Sequence, residues 1–504
     1  VASWYDLVAH TGDMARHLRR LDIPAPSWMG GVSHPGGTTV VAQETVKGPT
    51  AAASEIDRIA RDHVWAHSLP WVEVAENDGM RVFAAGKGSK LWDIHGREYI
   101  DGISGLWVVN AGHGRAEIGE AMAEQAKKLA YVSAEAYTSE PTVHLASKLA
   151  EITPGDLSRV YFCSGGSEAV ETAVKIAKQV QAMRGFPRRY KVISRRGSYH
   201  GMTHGAMSLT ATRNEAFFGP FMYGVSHVPH PNQYRSDFGL EGEAADIMAA
   251  KYVEQEIENQ GPETVAAVIG EPLSSAAGVH VPSATYWKML REICDRHGVL
   301  LIADEVINGF GRTGKMFATE HFGFVPDIMT IAKALTSGYA PMAAAIVRPG
   351  VFDVFTKQEM IGMGHLLTFG GHPVAAVAAL KNLEIYEEEN LVERGDEMGN
   401  YLRDRMTELL SHPILAEVRG LGLLNAIQVT PNKATKAKWA KDSKFPKWLS
   451  DRLRERGFLT RVTGEVIHFA PPLVVTKEEI DTMITITDEC VTEAEDRFAS
   501  EITV

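Results

Sequence analysis

GVLLIADEVINGFGRTG runs from Gly298 to Gly314, and PDIMTIAKALTSGYAP follows from Pro326 to Pro341. Val299 to Ala303 is an unbroken apolar run rich in branched residues, the composition of a strand buried on both faces in a parallel sheet. It stops on two acids, Asp304 and Glu305. A second run, Ile328 to Ala332, stops in the same way on Lys333. Ligands of open α/β sheets bind beyond the carboxyl ends of the strands, so Asp304 and Lys333 are expected to face one crevice.

Neighbouring stretches repeat the pattern. In RVYFCSGGSEAVETAVKIAKQV, Val160 to Cys163 read as a strand and Ser164 to Ser167 as a tight turn of small residues. A helix follows with Val170, Val174, Ala177 and Met183 on its apolar face. Such a turn lets backbone N–H groups and the helix dipole reach an anion; a plain N-cap at Ser167 is the alternative. Tyr190 to Ser194 and Val265 to Gly270 are further strands, ending near Tyr199-His200 and at Glu271. Strands alternating with helices such as Tyr286 to His297 define a doubly wound α/β sheet. A lysine and a carboxylate at strand ends are the parts a pyridoxal phosphate enzyme needs, one for the Schiff base and one for the ring nitrogen. Those two residues alone leave open a solvated lysine and an aspartate that caps a turn.

Other patterns carry less. His200 and His204 are four apart but lack the glutamate of a zinc protease motif, so no metal is expected. Gly309-Phe310-Gly311-Arg312-Thr313-Gly314 matches a dinucleotide fingerprint, yet no amphipathic helix follows. GKGSKLWDIHGREYIDG (Gly86 to Gly102) reads as a hairpin about His95-Gly96. Glu387 to Ser411 reads as an exposed amphipathic helix, and NKATKAKWAKDSK (Asn432 to Lys444) as a solvated insertion. Leu7, Val8, Met14, Leu18 and Leu21 suit a loose helix within an N-terminal extension over residues 1–55.

The 504 residues exceed one ordinary domain. A net charge of −12 argues against nucleic acid or an anionic membrane as partner. Three scattered cysteines fit a reducing cytoplasm, and no apolar run reaches membrane-spanning length.

From about Ile56 onward the chain closely resembles the class III aminotransferases of PLP fold type I, particularly the ω-transaminases. GGSEAVETAVKIA, SYHGMT, GEP, IADEVINGFGRTG, AKALTSGYAP, TFGGHPVA and APPLVVT carry the resemblance, in family order and spacing. It implies a large domain with a mainly parallel seven-stranded sheet over 116–375. A smaller α+β domain would be built from 56–115 and 376–504. The implied cofactor is pyridoxal 5'-phosphate, bonded to Lys333, with Asp304 against its pyridinium nitrogen. Val306 and Tyr199 would take the two ring faces. Gly165, Gly166 and Ser167 would hold the phosphate, joined by the partner subunit's Thr368. His200 and Glu271 belong to the same cofactor-binding set. Trp107 matches the aromatic wall of the substrate pocket, and Arg461 a mobile arginine that pairs with carboxylates. The expected enzyme moves an amino group from an amine or ω-amino donor to pyruvate, another keto acid or a carbonyl acceptor. A homodimer with shared sites would be its smallest active form, with higher oligomers left open.

Three departures stand out. Gly165 replaces a frequent serine, Ser133-Ala134-Glu135-Ala136 lacks the usual aromatic side chains, and Asn214 sits near another aromatic position. Together they suggest a wider or more polar pocket. PLP-dependent decarboxylation and aminomutase chemistry are the neighbouring enzyme alternatives. A non-enzymatic PLP-binding regulator would need a DNA-binding module, for which the N-terminal extension has neither pattern nor charge.

Overall fold

The computed structural model describes residues 51–68, 70–76, 80–210, 215–357 and 362–503. The loose helix read over Leu7 to Leu21, and Asn214, lie outside them.

Seven strands form the central sheet: β1 (Arg159–Cys163), β2 (Lys191–Arg195), β3 (Val225–Val228), β4 (Val265–Gly270), β5 (Leu300–Asp304), β6 (Ile328–Ile331) and β7 (Ala343–Val347). Their order across the sheet is β1-β7-β6-β5-β4-β2-β3. β7 runs antiparallel to β1 and β6, and every other pair is parallel. This is the mainly parallel seven-stranded sheet expected from the sequence. Each residue of β4, β5, β6 and β7 is buried. Helices cover both faces, so these strands read as continuous apolar runs rather than alternating ones.

Alternation survives in where the side chains go. Ala267, Ile269, Leu300 and Ile302 pack with Val170, Val174 and Ala177 of the helix Gly166–Met183. Val268, Leu301 and Ala303 pack with Trp287 and Leu290 of the helix Ala284–His297. Ser283 caps that second helix by accepting from the Tyr286 N–H, and Gly298, at φ +64, ends it in the left-handed region. In register, Gly270 lies opposite Ala303, and Asp304 opposite Thr330. The carboxyl ends of β4, β5 and β6 are therefore level, and Glu271, Asp304 and Lys333 emerge at one edge.

Two further sheets flank this frame. Phe83–Lys87, Lys90–Asp93 and Glu98–Asp101 form an antiparallel set around the expected hairpin. Phe458–Leu459 joins it in parallel, pairing Phe458 with Ile100. Leu415–Leu421, Leu424–Val429, Val466–Phe469 and Val462–Thr463 make the other sheet. Arg312 ties these parts together from within the glycine-rich turn. Fully buried, it donates to the main-chain oxygens of Leu423 (3.0 Å) and Pro471 (2.6 Å), to Ser104 Oγ (2.8 Å) and to Asn110 Oδ1. No dinucleotide helix follows it; the next helix is the single turn Thr319–Phe322.

Two expectations need correction. The segment 387–411 is not one exposed helix: the helix Pro373–Glu388 ends, Asn390 turns through φ +49, and Leu391–Glu408 begins with Leu391, Met398, Leu402 and Met406 buried. Nor is 432–444 solvated throughout. Trp439 is 7% exposed and stacks on Phe445 with ring centroids 4.0 Å apart. Arg235 donates to the main-chain oxygens of Lys436 (2.7 Å) and Ala437 (2.6 Å). One large aromatic outweighs its lysine neighbours, because lysine heads stay in water while the ring is buried. No helix among the described residues is long and apolar enough to cross a membrane.

Trp439→Ala distinguishes a packed segment from a solvated one. Chemical unfolding should show a loss of about 3–5 kcal/mol, as for a large buried aromatic. A solvated tryptophan would change stability by no more than about 0.5 kcal/mol.

Candidate active site

A cavity of about 360 Å³ opens at the level strand ends. Gly165, Gly166, Ser167, Tyr199, His200, Glu271, Asp304, Val306 and Lys333 all line it. Sequence reading named each of these.

Of the two acids at the end of β5, Asp304 and Glu305, only Asp304 lines the cavity. Successive side chains alternate, and Glu305 turns inward to accept from the main-chain N–H groups of Ala318 (3.0 Å) and Thr319 (2.8 Å). Burial pushes Glu305 up to about 7. Asp304 is buried too, and three donors hold it. His200 Nδ1 lies 2.7 Å from Oδ2; Thr330 Oγ1 (3.0 Å) and the Val306 N–H (3.1 Å) donate to Oδ1. His200, whose ring is also buried, is therefore a partner of Asp304 rather than of His204, which starts the short helix His204–Leu209.

Lys333 follows β6 in a strained conformation, at φ +48. Ser337 (φ +46), Ser104 (φ +49) and Trp107 (φ +56) share that region. Each such residue costs on the order of 1–3 kcal/mol and persists only where its surroundings over-determine it. Here Asn382 Nδ2 donates to the main-chain oxygens of Ala334 (2.9 Å) and Leu335 (3.1 Å), pinning the turn after the lysine. Asp101 holds the other segment by accepting from the Gly105 N–H at 2.7 Å. The two turns meet where Lys333 Nζ donates to the Leu106 main-chain oxygen at 3.3 Å and lies 5.5 Å from the Trp107 ring centroid. Part of Lys333 faces the cavity, but protein crowds its amine. Burial pulls it down to about 8; Asp304 opposes that shift and Arg461 adds to it.

Across the cavity, the helix Gly166–Met183 begins without a side-chain cap at Gly165. Glycines let its first turn fit closely. A Cβ on Gly166 would lie 2.9 Å from Val306 Cγ1, and one on Gly201 2.2 Å from Ser167 Oγ. Ser167 Oγ accepts from the Met202 N–H at 3.1 Å. A first turn with no side-chain cap, walled by glycines and a hydroxyl, suits a phosphate. A Cβ on Gly165 would meet nothing within 4 Å, so a serine would have room there. Taken together, an apolar Val306, a Tyr199 ring, a buried carboxylate and an amine of lowered basicity fit a pyridoxal phosphate.

Three expected residues lie outside the lining. Trp107 is buried beside Lys333, edge-on to His468 at 5.6 Å, with its Nε1 unpartnered among the described residues. Arg461 is exposed, its guanidinium carbon 5.8 Å from the Trp107 centroid. Among the described residues it makes no side-chain ion pair. Thr368 is exposed and stands away from this cavity; its main-chain oxygen accepts from Tyr131 Oη at 2.9 Å. Sequence reading missed Thr330, the Leu106 carbonyl and Arg195. Thr330 sits inside an apolar run, the carbonyl belongs to no residue type, and Arg195-Arg196 looks like a solvated pair.

A family model for the class-III aminotransferases matches residues 73–491. A probable aminotransferase of Mycobacterium tuberculosis is 42% identical over 411 residues, covering 80% of this chain and 88% of its own. A putrescine–pyruvate aminotransferase of Pseudomonas aeruginosa is 35% identical over 445 residues, 87% of this chain and 96% of its own. The ω-transaminase of Pseudomonas jessenii, solved in complex with PMP, superposes with a TM-score of 0.85 at 35% identity, covering 88% of this chain and 99% of that one.

The lowered basicity of Lys333 can be read by amine-specific labelling of cofactor-stripped protein across pH, followed by peptide mass spectrometry. The labelling midpoint should fall near 8, against about 10.4 for an ordinary lysine. Asp304→Asn should lower the midpoint, since a stabilising negative charge is lost, and Arg461→Ala should raise it. A midpoint above 10 in the parent protein contradicts the crowded environment.

Proposed function

The chain belongs to the class-III aminotransferases, and from that premise we propose that Lys333 and Asp304 are its catalytic pair, with Arg461 reading the acceptor's carboxylate. It is a pyridoxal-phosphate-dependent enzyme that transfers an amino group to a keto acid. The observation that carries the residue assignment is the convergence of Lys333 and Asp304, from neighbouring strands, on one cavity that also has a glycine-walled helix start. When bound, the cofactor supplies an electron sink for the bond broken at the substrate carbon.

The remaining work falls to the chain. Gly165, Gly166 and Ser167 bind the phosphate, while Val306 and Tyr199 confine the ring between them. Asp304 keeps a negative charge against the ring nitrogen, and His200 and Thr330 keep Asp304 in place. Lys333 Nζ would hold the cofactor, and its free amine would carry the proton from the substrate carbon to the carbon of the cofactor that the amine had occupied. A basicity brought down to about 8 leaves roughly a tenth of the amine uncharged at pH 7, against less than about a thousandth for an ordinary lysine, which makes a general base available.

Arg461 and Trp107 stand at the substrate side. A guanidinium with no ion pair among the described residues can grip a carboxylate through two parallel hydrogen bonds. Pyruvate is the proposed acceptor, in keeping with the name of the P. aeruginosa relative, and a primary amine the proposed donor. Because Thr368 is exposed and does not line this cavity, we assign it to the phosphate of the partner subunit's site. That makes a homodimer the smallest complete unit. The reducing cytoplasm is the proposed compartment, since all three cysteines are buried and free.

Arg461→Ala should lower kcat/KM for pyruvate about ten- to a hundredfold, the effect of losing a charge-assisted contact of about 1.5–3 kcal/mol. An uncharged amine should still convert the cofactor at near-normal rate, followed by its visible absorbance. Equal losses for charged and uncharged substrates, or none for either, would contradict the assignment.

A further inference from the structure

β2 ends on Arg195, a side chain with no part in the mechanism above. It is 2% exposed. Its Nη2 donates to Glu271 Oε2 (3.0 Å), to the Glu271 main-chain oxygen (2.6 Å) and to Ser274 Oγ (3.3 Å). Nε and Nη1 make no well-formed hydrogen bond among the described residues; the buried Tyr286 hydroxyl is close by, and the guanidinium carbon lies 5.6 Å from the Trp287 ring. Burying both ions of a pair is costly, and so dry a pair is weak evidence of a stabilising role. Something other than stability is needed to account for it.

The far side of Glu271 supplies a reason. Its Oε1 accepts from the Tyr199 N–H at 3.1 Å, and both Glu271 and Tyr199 line the cavity. Arg195, Glu271 and the Tyr199 main chain thus form one relay of hydrogen bonds from the buried sheet to the cavity wall. Gly270 leaves the space that the relay needs: a Cβ there would lie 2.9 Å from Arg195 Cζ. Without a cation beside it, the Glu271 carboxylate would be left buried near Asp304 with a like charge, and would hold its position less firmly.

We propose that Arg195 is a positioning residue, which grips Glu271 and through it fixes the Tyr199 ring at the height and tilt that the cofactor ring requires. This rests on the cofactor placement under Proposed function.

The test uses full-length protein and titrates pyridoxal phosphate into Arg195→Met, Glu271→Gln and the double variant. Binding is followed by protein fluorescence, ring orientation by the circular dichroism induced in the cofactor's visible band, and stability by Tm. Each single variant should raise the cofactor Kd about ten- to a hundredfold, as expected for a lost charge-assisted contact, and alter the induced band. The double variant should be no worse than either single, because both act on one relay. Gly270→Ala, which leaves Arg195 chemically intact but displaced, should reproduce the altered band. If Arg195→Met fails to fold, Arg195→Lys and Gly270→Ala decide the matter. An unchanged Kd and band in both, a lowered Tm with normal binding, or losses that multiply in the double variant would each overturn the proposal. Lys333→Ala serves as the control: tight, normally coloured binding in that variant would refute the cofactor placement itself, whatever Arg195 does.

Discussion

Asp304 ends a strand buried on both faces, where a carboxylate can persist only if its neighbours satisfy it. Three donors from three places do so: His200 beyond β2, Thr330 on β6 and the Val306 main chain. That requirement fixes much else. Thr330 must stand opposite Asp304, which sets the register of β5 and β6. The chain after β2 must return to the sheet edge so that His200 can reach in, and it carries Tyr199 with it. Val306, two residues on, closes against Gly166. The proposed ring faces and phosphate cradle are thus arranged around one buried charge.

Strain is the second theme. Lys333 and three non-glycine neighbours, Ser337, Ser104 and Trp107, hold positive φ, locked by hydrogen bonds or burial rather than by preference. The lysine amine lies where Asp304 and the Leu106 carbonyl favour its charge, while burial and Arg461 oppose it. An amine balanced in this way changes its protonation with small changes of surroundings, which suits a proton carrier.

Much of the frame was legible because parallel strands announce themselves. β4, β5 and β6 are apolar runs that stop abruptly on Glu271, Asp304 and Lys333, so strands and strand-end residues could be read together. The glycine-rich turn at Gly165 was equally plain. Arg312 and Arg195 were not legible, since an arginine in sequence looks solvated and only the fold reveals the carbonyls or carboxylate that surround it. Trp439 was lost among lysines for a similar reason, because local charge says little about what one ring can bury. The strain at Trp107 and Lys333 has no sequence signature, as neither residue favours positive φ.

The central claim is that Lys333 holds the cofactor beside Asp304. Reducing the coloured holoenzyme with borohydride fixes the cofactor on whichever lysine carries it, and peptide mass spectrometry then locates the added pyridoxyl mass. That mass is expected on the peptide containing Ala332-Lys333-Ala334. Stoichiometric label on any other lysine, with Lys333 unmodified, would contradict it.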